Sequence, residues 1–96
     1  MKTRVESFYD RSAQDEWERM DRHPMEFQTT LRAMREFILP NSRVLDIGGG
    51  PGRYTIELAK DGHTVTLLDL SSANVDLARL KAADAGVQVA GFVHGN

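Results

Sequence analysis

The chain has 96 residues, 27% charged and 41% hydrophobic, with a net charge of −2 and no cysteine, which is the composition of one small folded unit. A domain of this size buries only about 60 to 65% of the surface its unfolded chain exposes, so any missing part of the core weighs on stability. The composition excludes a disulfide framework, a thiolate nucleophile and a cysteine metal site. No Lys/Arg cluster is interleaved with aromatics, so nucleic acid is not an expected partner. The charged N-terminus lacks a signal-type apolar segment, and no run approaches the roughly 20 apolar residues of a membrane span, so a cytoplasmic protein with no membrane partner is expected.

The chain opens with Val5, Phe8 and Tyr9, followed by a polar stretch and then Trp17 and Met20. This reads as a short helix capped by Ser12, with Asp15 and Glu16 in its first turn where acids suit the helix dipole and Trp17 facing inward. Glu16, Glu18, Arg19 and Arg22 form a solvated charged face. Pro24 suits a first helical position, and Phe27, Leu31, Met34 and Ile38 recur at helical spacing until Pro40-Asn41-Ser42 ends the run.

Val44, Leu45 and Ile47 form a short apolar strand over 43–47, interrupted by Asp46 before four glycines: Gly48, Gly49, Gly50 and Gly52. From Arg53 a helix carries Ile56, Leu58 and Ala59 to a stop at Asp61-Gly62. Its N-terminus points at the loop, where free N–H groups favour anionic or electron-rich ligand atoms. A second strand over 64–68 is closed by Asp69. Ser71 caps a helix with Val75, Ala78 and Ala82 on its period and Leu77 and Leu80 beside them, and Gly86 stops it. Alternation from Val87 to His94 predicts a third strand. His23, His63 and His94 are scattered without an i, i+4 pair or a suitably spaced carboxylate, so they read as surface or strand-end residues and no metal is expected.

Spacing decides between loop chemistries. G-x-G-x-x-G fails in both registers, because its third position falls on Arg53 or Thr55, and a P-loop would need Lys followed by Ser or Thr where Arg53-Tyr54 stands. The pattern present is acid-x-Gly-x-Gly-x-Gly, from Asp46 through Gly52. It resembles motif I of the class I S-adenosylmethionine-dependent methyltransferases, and Asp69-Leu70 stands where that family's second strand ends in an acid followed by an apolar residue.

The resemblance implies an α/β, three-layer-type, Rossmann-like half domain with parallel strands in the order 3-2-1, N-terminal helices and an incomplete sheet. Residues 1–42 would be a helical lid segment, with Phe8 or Tyr9 lining the site, and residues 43–96 the cofactor-binding half. S-adenosylmethionine would be the cofactor, held by Gly48, Gly49, Gly50 and Gly52. Asp69 would take the ribose hydroxyls, Leu70 would lie beside the adenine, and Asn96 would meet the adenine amino group. Asp46 would brace the loop through backbone N–H groups, contact the ligand's amino group, or both. Arg53 reads as solvent-facing, outside the site.

In that family the acceptor-side residues follow the third and fourth strands, so no catalytic residue is assigned, the methyl acceptor is open, and the chain alone is expected to be inactive. The alternative is a non-catalytic S-adenosylmethionine-binding or regulatory fragment. Two successive right-handed crossovers put both following helices on one sheet face. The other face and the first-strand edge would stay bare, and a homodimer through either is expected, because the family places its N-terminal helices near the cofactor rather than across that face.

Overall fold

The structure, a computed structural model, describes residues 4–95, with side chains at residue 11 and from residue 13 onward. Four helices and three strands follow in the order α1 (Arg4–Arg22), α2 (Pro24–Phe37), β1 (Arg43–Ile47), α3 (Arg53–Lys60), β2 (Thr64–Asp69), α4 (Ser72–Ala85) and β3 (Gly91–His94). The strands form one parallel sheet with β2 central, in the order β1-β2-β3, which is the expected 3-2-1 order taken from the other edge. The sheet is incomplete, with β1 and β3 both at open edges.

The bounds of two expected elements are corrected. The first helix is not short: it spans 19 residues, and Ser12, read as its cap, lies inside it. No glycine or proline interrupts the chain before Pro24, so nothing stops the helix from running through Ser12. The third strand covers only Gly91–His94, and residues 87–90 lie outside it. The register sets Thr66 opposite Gly91, which leaves Val87 and Gln88 beyond the start of β2 with no strand to pair with, whatever their alternation.

The two sheet faces differ sharply. Val65 and Leu67 are completely buried beneath the helices, whereas Leu45 is 58% exposed, Ile47 71% and Val93 45% on the opposite face. That asymmetry follows from the crossovers, since α3 and α4 both pack on one side. The N-terminal helices thicken the covered side. Leu31 of α2 packs with Leu58 and Val65, joined by Phe27, Met34, Ile38, Val44 and Tyr54. A second core joins Leu67, Val75 and Ala78 with Phe92. At the end of α3, Arg35 forms a two-point pair with Asp61, Nε to Oδ2 at 2.6 Å and Nη2 to Oδ1 at 3.0 Å, and that bond holds its guanidinium above its ordinary pKa.

His63 is not a surface residue. It is 9% exposed, and its Nδ1 accepts the Ser42 N–H at 3.1 Å, which ties the turn before β1 to the turn before β2. Arg53 is not solvent-facing either, with a side chain only 19% exposed. Its guanidinium lies 3.7 Å from the centre of the Trp17 ring, donates from Nε and Nη2 to the Trp17 carbonyl at 3.3 and 3.1 Å, and pairs with Asp21 at 2.5 Å. Lys81 Nζ approaches the same ring at 4.9 Å. The indole is the meeting point of α1, α3 and α4.

Arg53→Ala should undock α1 while leaving the sheet intact. The cation–π contact is worth about 1 to 2 kcal/mol when partly desolvated. Because Trp17 is the single tryptophan, its emission should shift to the red and α1 amides should exchange faster, with β2 amides unchanged. Unaltered emission would show that Arg53 does not hold α1.

Candidate functional site

The site is built at the C-terminal ends of β1 and β2. Pairing between them extends one residue past β1, where the Gly48 N–H donates to Leu68 O at 2.7 Å, and then the glycine loop turns into α3. Gly52 is the N-cap of α3 at φ 90°, a left-handed conformation that side chains resist, and its carbonyl accepts the Ile56 N–H at 2.9 Å. A Cβ on Gly52 would stand 3.0 Å from the Ala78 Cβ, so the loop lies directly against α4. A Cβ on Gly49 would fall 2.7 Å from Asp46 Oδ2. Neither position has room for a side chain. No side chain caps α3 and its first turn carries no acid, so its N–H end is left to the loop.

The two acids have distinct surroundings. Asp46 Oδ2 accepts the hydroxyl of fully buried Thr55 at 2.6 Å, so this carboxylate lies under Gly49 and is tied to α3 through a side chain. Asp69 is 9% exposed and accepts three hydrogen bonds. The Gly50 N–H reaches Oδ2 at 2.9 Å, while the Ser71 N–H and the Asn74 Nδ2 reach Oδ1 at 2.9 and 3.2 Å. One carboxylate therefore fastens the glycine loop to the start of α4. Ser71 caps that helix as its position implied, accepting the Asn74 N–H at 3.2 Å.

Leu70, next in the chain, is 68% exposed at the same edge, and its carbonyl meets His94 Nε2 at 2.9 Å. The Gly95 N–H donates to Asp69 O at 2.9 Å and brings the end of β3 alongside. Gly48, Gly49, Gly50, Gly52, Asp69 and Leu70 are thus gathered on one edge, with Asp46 beneath. Asn96 and the side chains of Phe8 and Tyr9 lie outside the described residues. Among those described, no group of three or more His, Asp or Glu is placed to hold a metal ion.

Three contributors escaped the sequence reading. Thr55 sits three residues past Gly52, on the inward face of α3. Asn74 occupies the third position after the Ser71 cap, where a side chain can reach back over the helix start, and that spacing was a signal available in the sequence. Glu16 left no sequence signal: only folding brings α1 over the loop, with its Cγ 3.9 Å from where a Cβ of Gly50 would stand.

Comparison with known proteins places this edge in context. The methyltransferase domain family matches residues 44–96. The chain is 43% identical over 56 residues to the tRNA 5-carboxymethoxyuridine methyltransferase of Escherichia coli K12, covering 58% of the chain and 22% of that protein. It is 32% identical over 93 residues to the magnesium-protoporphyrin O-methyltransferase of Rhodobacter capsulatus, covering 82% of the chain and 42% of that protein. Among solved structures, a SAM-dependent methyltransferase from Thiobacillus denitrificans in complex with S-adenosyl-L-homocysteine aligns with a TM-score of 0.62 at 36% identity, over 75% of this chain and 29% of that one. The chain therefore spans less than half the length of these relatives.

Gly52→Ala should be the most damaging change in the loop. Left-handed strain of about 1 to 2 kcal/mol adds to overpacking of about 1 to 3 kcal/mol against Ala78. Urea denaturation should show a clear drop in midpoint, and an unchanged midpoint would mean that the loop does not pack on α4.

Proposed function

The chain belongs to the class I S-adenosylmethionine-dependent methyltransferase family, and from that premise we propose that these residues bind S-adenosylmethionine for methyl transfer to an acceptor recognised elsewhere. The observation that carries the reading is the Gly50 N–H to Asp69 Oδ2 bond at 2.9 Å, which fixes the two motifs at one sheet edge. The residues present fit the cofactor. Gly48 is exposed, and a Cβ there would meet nothing within 4 Å, so the loop backbone is open on its outer side. Asp69 would take ribose hydroxyls, exposed Leu70 would lie against the adenine and Asn96 would meet its amino group. Asp46 would keep the loop in shape through Thr55.

S-adenosylmethionine supplies a sulfonium methyl already activated for in-line displacement. What remains for protein groups is to align the acceptor and, where needed, remove its proton. The relatives' names support a division of labour: one names a modified uridine in tRNA and another a magnesium porphyrin, so proteins with different named substrates share sequence with this chain. We therefore assign no catalytic residue here, and the 96-residue chain alone should not convert S-adenosylmethionine to S-adenosylhomocysteine above the uncatalysed rate with any acceptor. Lid behaviour of the N-terminal helices is part of the proposal, supported by Glu16 lying over Gly50. Among the described residues no helix is long and apolar enough to cross a membrane, and a cytoplasmic location goes with this reading.

Calorimetric titration tests the cofactor assignment. S-adenosylhomocysteine should give a binding heat, and Asp69→Asn, which keeps the shape but halves the acceptor capacity, should weaken it by about tenfold to a hundredfold. Heat with a nicotinamide dinucleotide and none with S-adenosylhomocysteine would overturn the reading.

We further propose that a second copy covers the bare face or pairs along β1 when the chain is on its own. Support comes from the exposed row of Leu45, Ile47 and Val93, apolar side chains left open on one face of a parallel sheet, which normally buries both. Light scattering coupled to gel filtration should give the mass of a dimer at micromolar concentration; a well-folded monomer with a cooperative melt would show the face to be tolerated bare.

A further inference from the structure

Asp69 offers two oxygens and about four lone-pair sites, and its three donors are not equivalent. The N–H groups of Gly50 and Ser71 belong to the backbone and do not depend on a side chain. The third donor is the Asn74 side-chain amide, which reaches Oδ1 at 3.2 Å from the first turn of α4. The backbone N–H of Asn74 is engaged separately with the Ser71 hydroxyl at 3.2 Å. Helix capping at this turn therefore does not need the Asn74 side chain.

Rotation about the bond joining a carboxylate to its methylene has a broad, roughly two-fold profile, so hydrogen bonds set the plane: the Gly50 and Ser71 N–H groups hold one oxygen each, and the Asn74 amide adds a further constraint at Oδ1. With the Ser71 N–H and the Asn74 amide converging on Oδ1 and the Gly50 N–H on Oδ2, the plane is fixed at three points, and Oδ1 is filled. Oδ2 has one partner and keeps a lone pair for an incoming donor. An acceptor of set direction is what distinguishes a ligand hydroxyl from a hydrogen in its place.

From this geometry we infer that Asn74 is a positioning residue, orienting the Asp69 carboxylate so that its remaining Oδ2 lone pair discriminates for a hydroxyl group of a bound ribose. The inference deepens the cofactor reading and rests on it. Asn74 touches no ligand in this assignment and acts through Asp69 alone.

The test uses the full chain and two probes, S-adenosylhomocysteine and its 2′-deoxy analogue, with calorimetric affinities for wild type, Asn74→Ala and Asn74→Asp. Asn74→Ala should weaken S-adenosylhomocysteine binding by about threefold to tenfold and reduce the preference over the deoxy analogue, with the melting midpoint little changed. Asn74→Asp keeps the shape but sets a second carboxylate beside the first, and should weaken binding further than alanine. The preference ratio is the decisive readout, because a merely structural role would lower both affinities together and leave the ratio unmoved. Wild type that binds S-adenosylhomocysteine, with Asn74→Ala equal or tighter, overturns this inference alone and shows instead that the amide was occupying a lone pair the ligand could use. Wild type that binds neither probe overturns the cofactor reading and this inference with it.

Discussion

The Asp69 carboxylate is the joint on which the sheet edge depends. It sits at the last position of the central strand, takes an N–H from the glycine loop on one oxygen and two donors from the start of α4 on the other, and is almost fully buried. Burial of an ionised group is costly unless hydrogen bonds replace its water, and here three donors do so. The loop between β1 and α3 and the turn between β2 and α4 thereby share one anchor. A ligand meeting the loop meets α4's first turn through the same side chain.

Asp46 does the complementary work from below. It occupies the covered face of β1, where the pleat also places Val44, and its charge is met by the hydroxyl of Thr55 rather than by loop N–H groups. The loop is shaped by exclusion as well: a Cβ on Gly49 would clash with Asp46, and one on Gly52 would be crowded against Ala78. The first acid of the motif is thus tied to α3 through the Thr55 hydroxyl, and the second to the loop and α4 through N–H donors.

One-sidedness is the other governing feature. Every helix lies on the face that buries Val65 and Leu67, and cation–π contacts from Arg53 and Lys81 to Trp17 help to hold α1 there, beside buried Ala13. Arg53 is the first residue of α3, immediately after the Gly52 cap, so the residue that anchors α1 is also part of the loop's exit. The N-terminal helices and the glycine loop are mechanically adjacent for that reason. The opposite face retains Leu45, Ile47 and Val93 in contact with solvent.

By itself the sequence determined the elements from Pro24 to Gly86, the strand order through its motif resemblance, the Ser71 cap and the gathering of the glycines near Asp69. These follow from local periodicity, from glycine and proline positions, and from acids at strand ends, all of which are written within a few residues of where they act. Only the tertiary structure decided the rest. Where β3 begins was decided by its pairing with β2, Gly91 opposite Thr66, which alternation within residues 87–94 cannot register. Arg53, His63 and Thr55 read as ordinary polar residues until folding supplied Trp17, Ser42 and Asp46 as partners, 36, 21 and 9 residues away in the chain. A polar side chain's role depends on what faces it, and for these three the facing group came from another element of the fold.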